Sequence, residues 1–217
     1  MSTFGTLYSI TSMLHPRVTA ILAAANLNNL NIHVDTTFDF GTTNKTPAFR
    51  AKFPHGKIPA LETSSGLCLA ESSAIMRYVS DSGPAREQLL GRTPEDRGLV
   101  SMWMSFADTE IWPCVSLIAN SANSGVGPTF LEKKKGDIAR SLDRLELHLA
   151  QEGKVWLVRD DEISLGDINV ASTVMGGFKT FMNEEYRSRY PKIMAWWERL
   201  MAVEGVGKAF GAPVQLV

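Results

Sequence analysis

The chain has 217 residues, enough for one large or two small domains with a sizeable core. Its 44% hydrophobic and 21% charged residues are those of a globular protein, and a formal net charge of -1 gives no electrostatic reason to expect nucleic acid or an anionic membrane as partner. The two cysteines, Cys68 and Cys114, lie far apart with no CxxC pair and no histidine cluster, so neither a disulfide framework nor a metal site is expected. A cytoplasmic location follows, since no basic leader and no run near ~18 apolar residues is present.

In chain order, "TFGTLYSI" reads as a strand, "HPRVTAILAAANL" as a helix and "NIHVDTTF" as a second strand, which makes a βαβ opening. A short helical piece, "TPAFRAKF", has proline at its front, where a missing N–H costs nothing. "KIPALE" and "LCLA" then read as strands joined by "TSSG" into an antiparallel hairpin, and "SSAIMRYVSDSG" as the next helix. The stretch "DSGPAREQLLGRTP", rich in Gly, Pro and charge, reads as a linker.

Beyond it the strand signal ends. "EDRGLVSMWMSFADTEIWPCVSLIANSA" and "PTFLEKKKGDIARSLDRLELHLAQEG" carry apolar residues at helical spacing, such as Ile138, Leu142, Leu145 and Leu149, so the second half is expected to be all-helical. Ser164 and Asp167 in "ISLGDINVAS" stand at N-cap and N3 of a capping box, with a structural role.

Two features between residues 55 and 80 point to chemistry. A proline inside "KIPALE" fits either an edge strand or a cis Ile58-Pro59 bond that leaves the Ile58 amide and carbonyl open to an added peptide strand. Glu71 and Ser72 follow "LCLA" at a helix entrance, where free N–H groups favour an anion; they can simply cap the helix, or hold a ligand that bears both an ammonium and a carboxylate.

Through "GKIPALETSSGLCLAESSAI" and an all-helical second half, the sequence resembles the cytosolic glutathione transferases; "NKTPAFRAKFPHGKIPALE" and "MWMSFADTEIWP" resemble the transferase domain of translation elongation factor one gamma and its stand-alone fungal relatives. The resemblance implies a thioredoxin-like α/β domain over residues 1–82, an all-α domain over 93–217, and glutathione as cosubstrate or cofactor. It further implies backbone pairing of Ile58 with the cysteinyl part of glutathione, and Glu71 and Ser72 on its γ-glutamyl end, with Pro59 following in the strand. Lys57 then stands against the peptide, and Asn44 and Lys45 match positions that grip the glycine carboxylate, whereas the residues by themselves read as surface groups. A homodimer is implied as well, with the first domain of one copy against the helices of the other.

Glutathione reacts as a thiolate, and a free thiol has a pKa near ~8.5. A hydroxyl in "LYSITSMLHPRV" is therefore expected to stabilise it: Ser12 by the family's spacing, with Ser9 and Thr11 as substitutes, although all three can also serve as ordinary loop hydroxyls. Tyr8 is read as core, His15 as capping the first helix or lining the mouth, and both cysteines as structural, Cys68 as a small core hydrophobe. The electrophile site is expected on the helix "SMWMSFADTEIW", lined by Met102, Ser105, Phe106 and Thr109, with Asp108 orienting a polar substrate or forming a salt bridge. Three functions fit: conjugation of glutathione to a hydrophobic electrophile, glutathione-dependent cis-trans isomerisation of a conjugated double bond in a biosynthetic pathway, and a non-catalytic interaction module like the elongation-factor domain.

Overall fold

The computed structural model describes residues 2–10, 15–211 and 216–217. Strand β1 (Gly5–Tyr8) runs into α1 (Pro16–Leu27) and returns as β2 (Ile32–Asp35), parallel to β1. After a 3-10 turn at Thr43–Lys45 and helix α2 (Pro47–Lys52), β3 (Ala60–Thr63) lies antiparallel to β1, and β4 (Cys68–Leu69) antiparallel to β3. The sheet order is β2-β1-β3-β4, followed by α3 (Ser72–Asp81). Leu7 and Leu61 are fully buried where β1 and β3 meet the helices. On the other side, Phe38, Phe49 and Phe53 pack around Tyr8, whose hydroxyl donates to Glu62 at 2.9 Å.

The stretch read as a linker contains a helix, α4 (Arg86–Leu90), because Leu89 is fully buried and draws its neighbours into a turn against the core. Next comes α5 (Pro94–Phe106), opened by a Thr93–Asp96 capping box, then a π-helical segment (Ala107–Ile111), α6 (Trp112–Ala119) and the short α7 (Ser121–Ser124). Long α8 (Pro128–Leu149) buries Ile138, Leu142, Leu145 and Leu149, as their spacing predicts. The rest is α9 (Leu165–Phe178), α10 (Glu184–Arg187), α11 (Pro191–Met201) and α12 (Glu204–Phe210). Among the described residues no helix is long and apolar enough to cross a membrane.

Helix α1 lies between the two halves. Its buried Ala23, Ala24 and Ala25 let other elements come close, and it packs on α3, α9 and α12. Asn28 fixes the junction by donating to the carbonyls of Val79 (2.9 Å) and Ser80 (3.0 Å) and accepting from the Ala85 amide (2.7 Å). Asn26 donates to the Gly205 carbonyl at 2.8 Å, tying the first domain to the last helix.

Helix α9 is the buried centre of the second half, and the expected Ser164–Asp167 capping box opens it. Asp167 does more than cap. Fully buried, it also accepts from the Leu157 amide (2.8 Å) and the Trp196 indole (3.0 Å), while its other oxygen takes the Ser164 amide (2.9 Å) and hydroxyl (2.8 Å). Burial pushes this carboxyl above the usual carboxylate range, and the donors pull against that. Asp167→Ala strands several buried donors at once, so a loss of about 3 kcal/mol in unfolding free energy by urea titration is expected; a loss below about 1 kcal/mol would show that the donors find other acceptors.

Candidate functional site

The Ile58–Pro59 peptide bond is cis. The β1–β3 ladder begins at the Tyr8–Ala60 pair, so Ile58 stands outside the sheet register, beside the N-terminus of α3. A cavity of about 110 Å³ opens there, lined by Arg17, Phe53, His55, Lys57, Ile58, Pro59, Ala70, Glu71 and Ser72. Five expected residues, Lys57, Ile58, Pro59, Glu71 and Ser72, therefore meet at one place. Glu71 precedes α3 with φ 65 and ψ 113, a conformation costly for a residue with a Cβ, and its side chain caps nothing. Ser72, buried, begins the helix. The result is an outward carboxylate beside a helix N-terminus, with a main-chain edge at Ile58 opposite.

Asn44 and Lys45 do not join them. Asn44 is buried, and its side chain spans a loop, accepting from the Gly41 amide at 2.6 Å and donating to the Gly56 carbonyl at 2.8 Å. It holds the segment that carries His55 and Lys57, while Lys45 is exposed and does not line the cavity. The cavity's cations are Arg17 and Lys57. Sequence reasoning missed Arg17 and His55; the signal for Arg17 was its place in the first turn of α1, directly after the loop searched for a hydroxyl.

Ser12 and Thr11 lie outside the described residues. Ser9 follows β1 and is fully buried, its hydroxyl oxygen without a hydrogen-bond partner. Tyr8 is bound to Glu62 and its phenol is pushed up to about 12, by burial first and then by the Glu62 carboxylate, which makes it a structural donor. Cys68, half-buried on the short strand β4, packs as a small hydrophobe against the Phe38–Phe49–Phe53 cluster, with its thiol near the Gly66 carbonyl at 3.7 Å. Cys114 is buried, as expected, and burial pushes its thiol up.

A second cavity, of about 500 Å³, lies between the start of α1 and the helices α6 and α9. None of Met102, Ser105, Phe106 and Thr109 lines it. Met102 and Ser105 face solvent, Phe106 packs on Trp103 under the Arg144 guanidinium (5.2 Å), and Thr109 donates to the Ser105 carbonyl at 2.9 Å. The wall is formed instead by Trp112, Val115, Ser116 and Ala119, at i, i+3, i+4 and i+7 on α6. The π-helical segment before α6 adds a residue to one turn, so a face extrapolated from α5 does not continue into α6. Asp108, within that segment, is hydrogen-bonded to Ser73 and accepts from Asn169 (3.4 Å), so it joins α3 to α9.

The two cavities share a wall. Arg17 lines the smaller one and lies over the ring of Trp112 at 5.0 Å, and Trp112 lines the larger. His15 stands at the N-cap of α1 without capping it; its ring is 6.0 Å from that of Trp112, and it lines the larger cavity, the second of the roles expected for it. Burial, and then the Arg17 charge, lower its pKa. Gly176 allows α9 to approach α6 and α1 closely at the cavity wall: a Cβ there would lie 3.0 Å from Val115 Cγ1 and 3.6 Å from Pro16 Cγ.

Comparison with known proteins matches residues 4–81 to the glutathione S-transferase N-terminal domain and residues 117–204 to the glutathione S-transferase C-terminal domain. A glutathione S-transferase-like protein of Fusarium sp, LUC7, is 42% identical over 217 residues, covering 98% of this chain and 95% of its own. Elongation factor 1-gamma of Rattus norvegicus is 35% identical over 205 residues, 89% of this chain and 43% of that protein. Among solved structures, the GST-like domain of elongation factor 1-gamma from Saccharomyces cerevisiae superposes with a TM-score of 0.78 at 21% identity over 96% of this chain and 94% of its own. The transferase URE2P6 of Phanerochaete chrysosporium, in complex with oxidized glutathione, gives 0.83 at 21% identity over 97% and 96%.

The Glu71 backbone makes a separable prediction. Glycine adopts its φ without a Cβ penalty, so Glu71→Gly is expected to stabilise the protein by about 1 kcal/mol in thermal unfolding, while Glu71→Ala gains nothing. Equal melting of the two variants would show that this backbone carries no strain.

Proposed function

Because this chain belongs to the glutathione S-transferase family, we propose that it binds glutathione in the smaller cavity, activates its thiol, and directs the thiolate at an apolar electrophile held in the larger one. The observation that carries this reading is the shared wall: a small groove beside the Ile58 main chain and the α3 N-terminus adjoins an apolar chamber across Arg17 and Trp112. In this reading Ile58 pairs with the cysteinyl backbone, Glu71 takes the γ-glutamyl ammonium, and Ser72 with the α3 N-terminus takes the neighbouring carboxylate. Lys57 holds the glycine carboxylate, assisted by His55, in place of the Asn44–Lys45 pair.

Ionising a thiol whose pKa begins near ~8.5 requires a shift of about two units at neutral pH, or roughly 2.7 kcal/mol of preferential thiolate stabilisation. A hydroxyl of the loop after β1, Ser12 first and Ser9 next, donates to the sulfur, and Arg17 adds positive charge beside it. The thiolate then attacks the electrophilic carbon from a fixed position, so the encounter is already oriented. The chain acts as a homodimer; the exposed apolar side chains of Leu67 on the first domain and Leu99, Met102 and Phe130 on the helices support that.

A second reading, a non-catalytic module, is favoured by the 35% identity to elongation factor 1-gamma of Rattus norvegicus. Calorimetry with glutathione separates the two. Binding is expected, weakened about tenfold in Lys57→Ala and in Glu71→Ala, with thiolate absorbance at neutral pH lost in Ser12→Ala. No glutathione binding would favour the module. Turnover of a conjugated polyene without loss of glutathione would reassign the chemistry to reversible addition and isomerisation.

A further inference from the structure

The larger cavity has an apolar wall of Trp112, Val115, Ala119 and Met175, yet its far end carries a cation, Lys179, and no Asp or Glu is among the described residues that line it. Lys179 closes α9 as its C-cap, half-buried, and among the described residues its ammonium has neither hydrogen bond nor ion pair. A Cβ on Gly176 would point at Val115, Pro16 and Trp112, so that position faces the wall near α1, and Lys179 follows three residues later, roughly 5 Å further along the helix axis. The end of a helix is itself weakly negative, which opposes an anion there; the ammonium is the group that reverses this locally. Asn120, which also lines that end, donates to the Ser116 carbonyl at 2.8 Å, so its amide is partly engaged.

We infer that the second substrate is an amphipathic electrophile bearing an anionic group, a carboxylate or enolate, held by Lys179, with its reactive carbon toward the Arg17–Trp112 wall and an apolar body of about one ring's length between. This deepens the proposed transferase reading and rests on it. A neutral apolar substrate leaves the ammonium without an anionic partner, whereas a carboxylate within reach of it gains a charge-assisted hydrogen bond.

A matched pair of probes tests it: para-chloro-meta-nitrobenzoate and its methyl ester. In each, the thiolate sulfur forms a bond to the carbon bearing chlorine, and chloride leaves with the bonding electrons; the two differ only in charge across the ring. Rates are divided by the uncatalysed rate with glutathione to remove the difference in intrinsic reactivity. Lys179→Met is expected to lower kcat/KM for the acid about tenfold, equivalent to about 1.4 kcal/mol, and for the ester less than about twofold, with Lys179→Arg restoring the acid. Calorimetry of the ready-made acid and ester conjugates should show the same dependence on residue 179, which covers the case of slow chemistry. Equal effects on acid and ester in both measurements, while glutathione binds and neutral chlorodinitrobenzene is turned over, overturn this inference alone. Failure to bind glutathione overturns it together with the reading beneath it.

Discussion

A single buried carboxylate organises the second half of the chain. Asp167 collects donors from three separate segments: its own helix start at Ser164, the loop amide of Leu157 and the indole of Trp196 on α11. Such a group is expensive to bury alone and becomes favourable only when its lone pairs are filled. The consequence reaches the site, because Asp167 sets the start of α9, an almost wholly buried rod whose other end presents Met175, Gly176 and Lys179 to the larger cavity. Sixteen ångströms or so of helix, about eleven residues, carries that constraint from the cap to the groove.

A second polar joint sets how the halves meet. The π-helical segment pushes Asp108 out of the α5 register to a point where it bonds Ser73 and Asn169 together. Ser73 is the residue after Ser72, so the same contact that ties α3 to α9 steadies the helix entrance beside Glu71. The two cavities are thus held in fixed relation by side chains that line neither of them: Asp108 from one side, Asn28 and Asn26 at the α1 junction from the other. An irregular turn in the middle of a long helix costs ladder hydrogen bonds, and here it is compensated by a joint between domains.

How much of this could be read from the sequence follows the range of each signal. Periodicity found β1, α1, α8 and the capping box of α9, since each depends on residues within a few positions of one another. The Ile58–Pro59 and Glu71–Ser72 pairs were legible as a motif, and their meeting in one cavity follows from the β3–β4 hairpin that folds one onto the other. Helix α4 was hidden because it is five residues long and only Leu89 of it is fully buried, with Leu90 beside it partly so, too short a pattern in a polar stretch to show helical spacing. The expected face Met102–Thr109 does not line the larger cavity because of one structural event, the extra residue of the π turn, after which "WPCVSLIA" carries its own apolar face. The loop role of Asn44 was not legible for another reason: an asparagine suits a ligand as well as a loop, and its bonds to Gly41 and Gly56 depend on the backbone path between them.

The charges around the two cavities close the argument. Among the described residues Arg17 has no carboxylate partner; its Nε is buried without a hydrogen bond, and the face of its guanidinium rests on Trp112. A cation–π contact offsets about 1 to 2 kcal/mol of desolvation, less than the cost of enclosing a guanidinium nitrogen, so the group is left poised for an anion. The neighbouring His15 cannot compete for that anion, because burial and the Arg17 charge both keep its imidazole neutral. Positive charge is thereby concentrated on one guanidinium at the boundary of the two chambers.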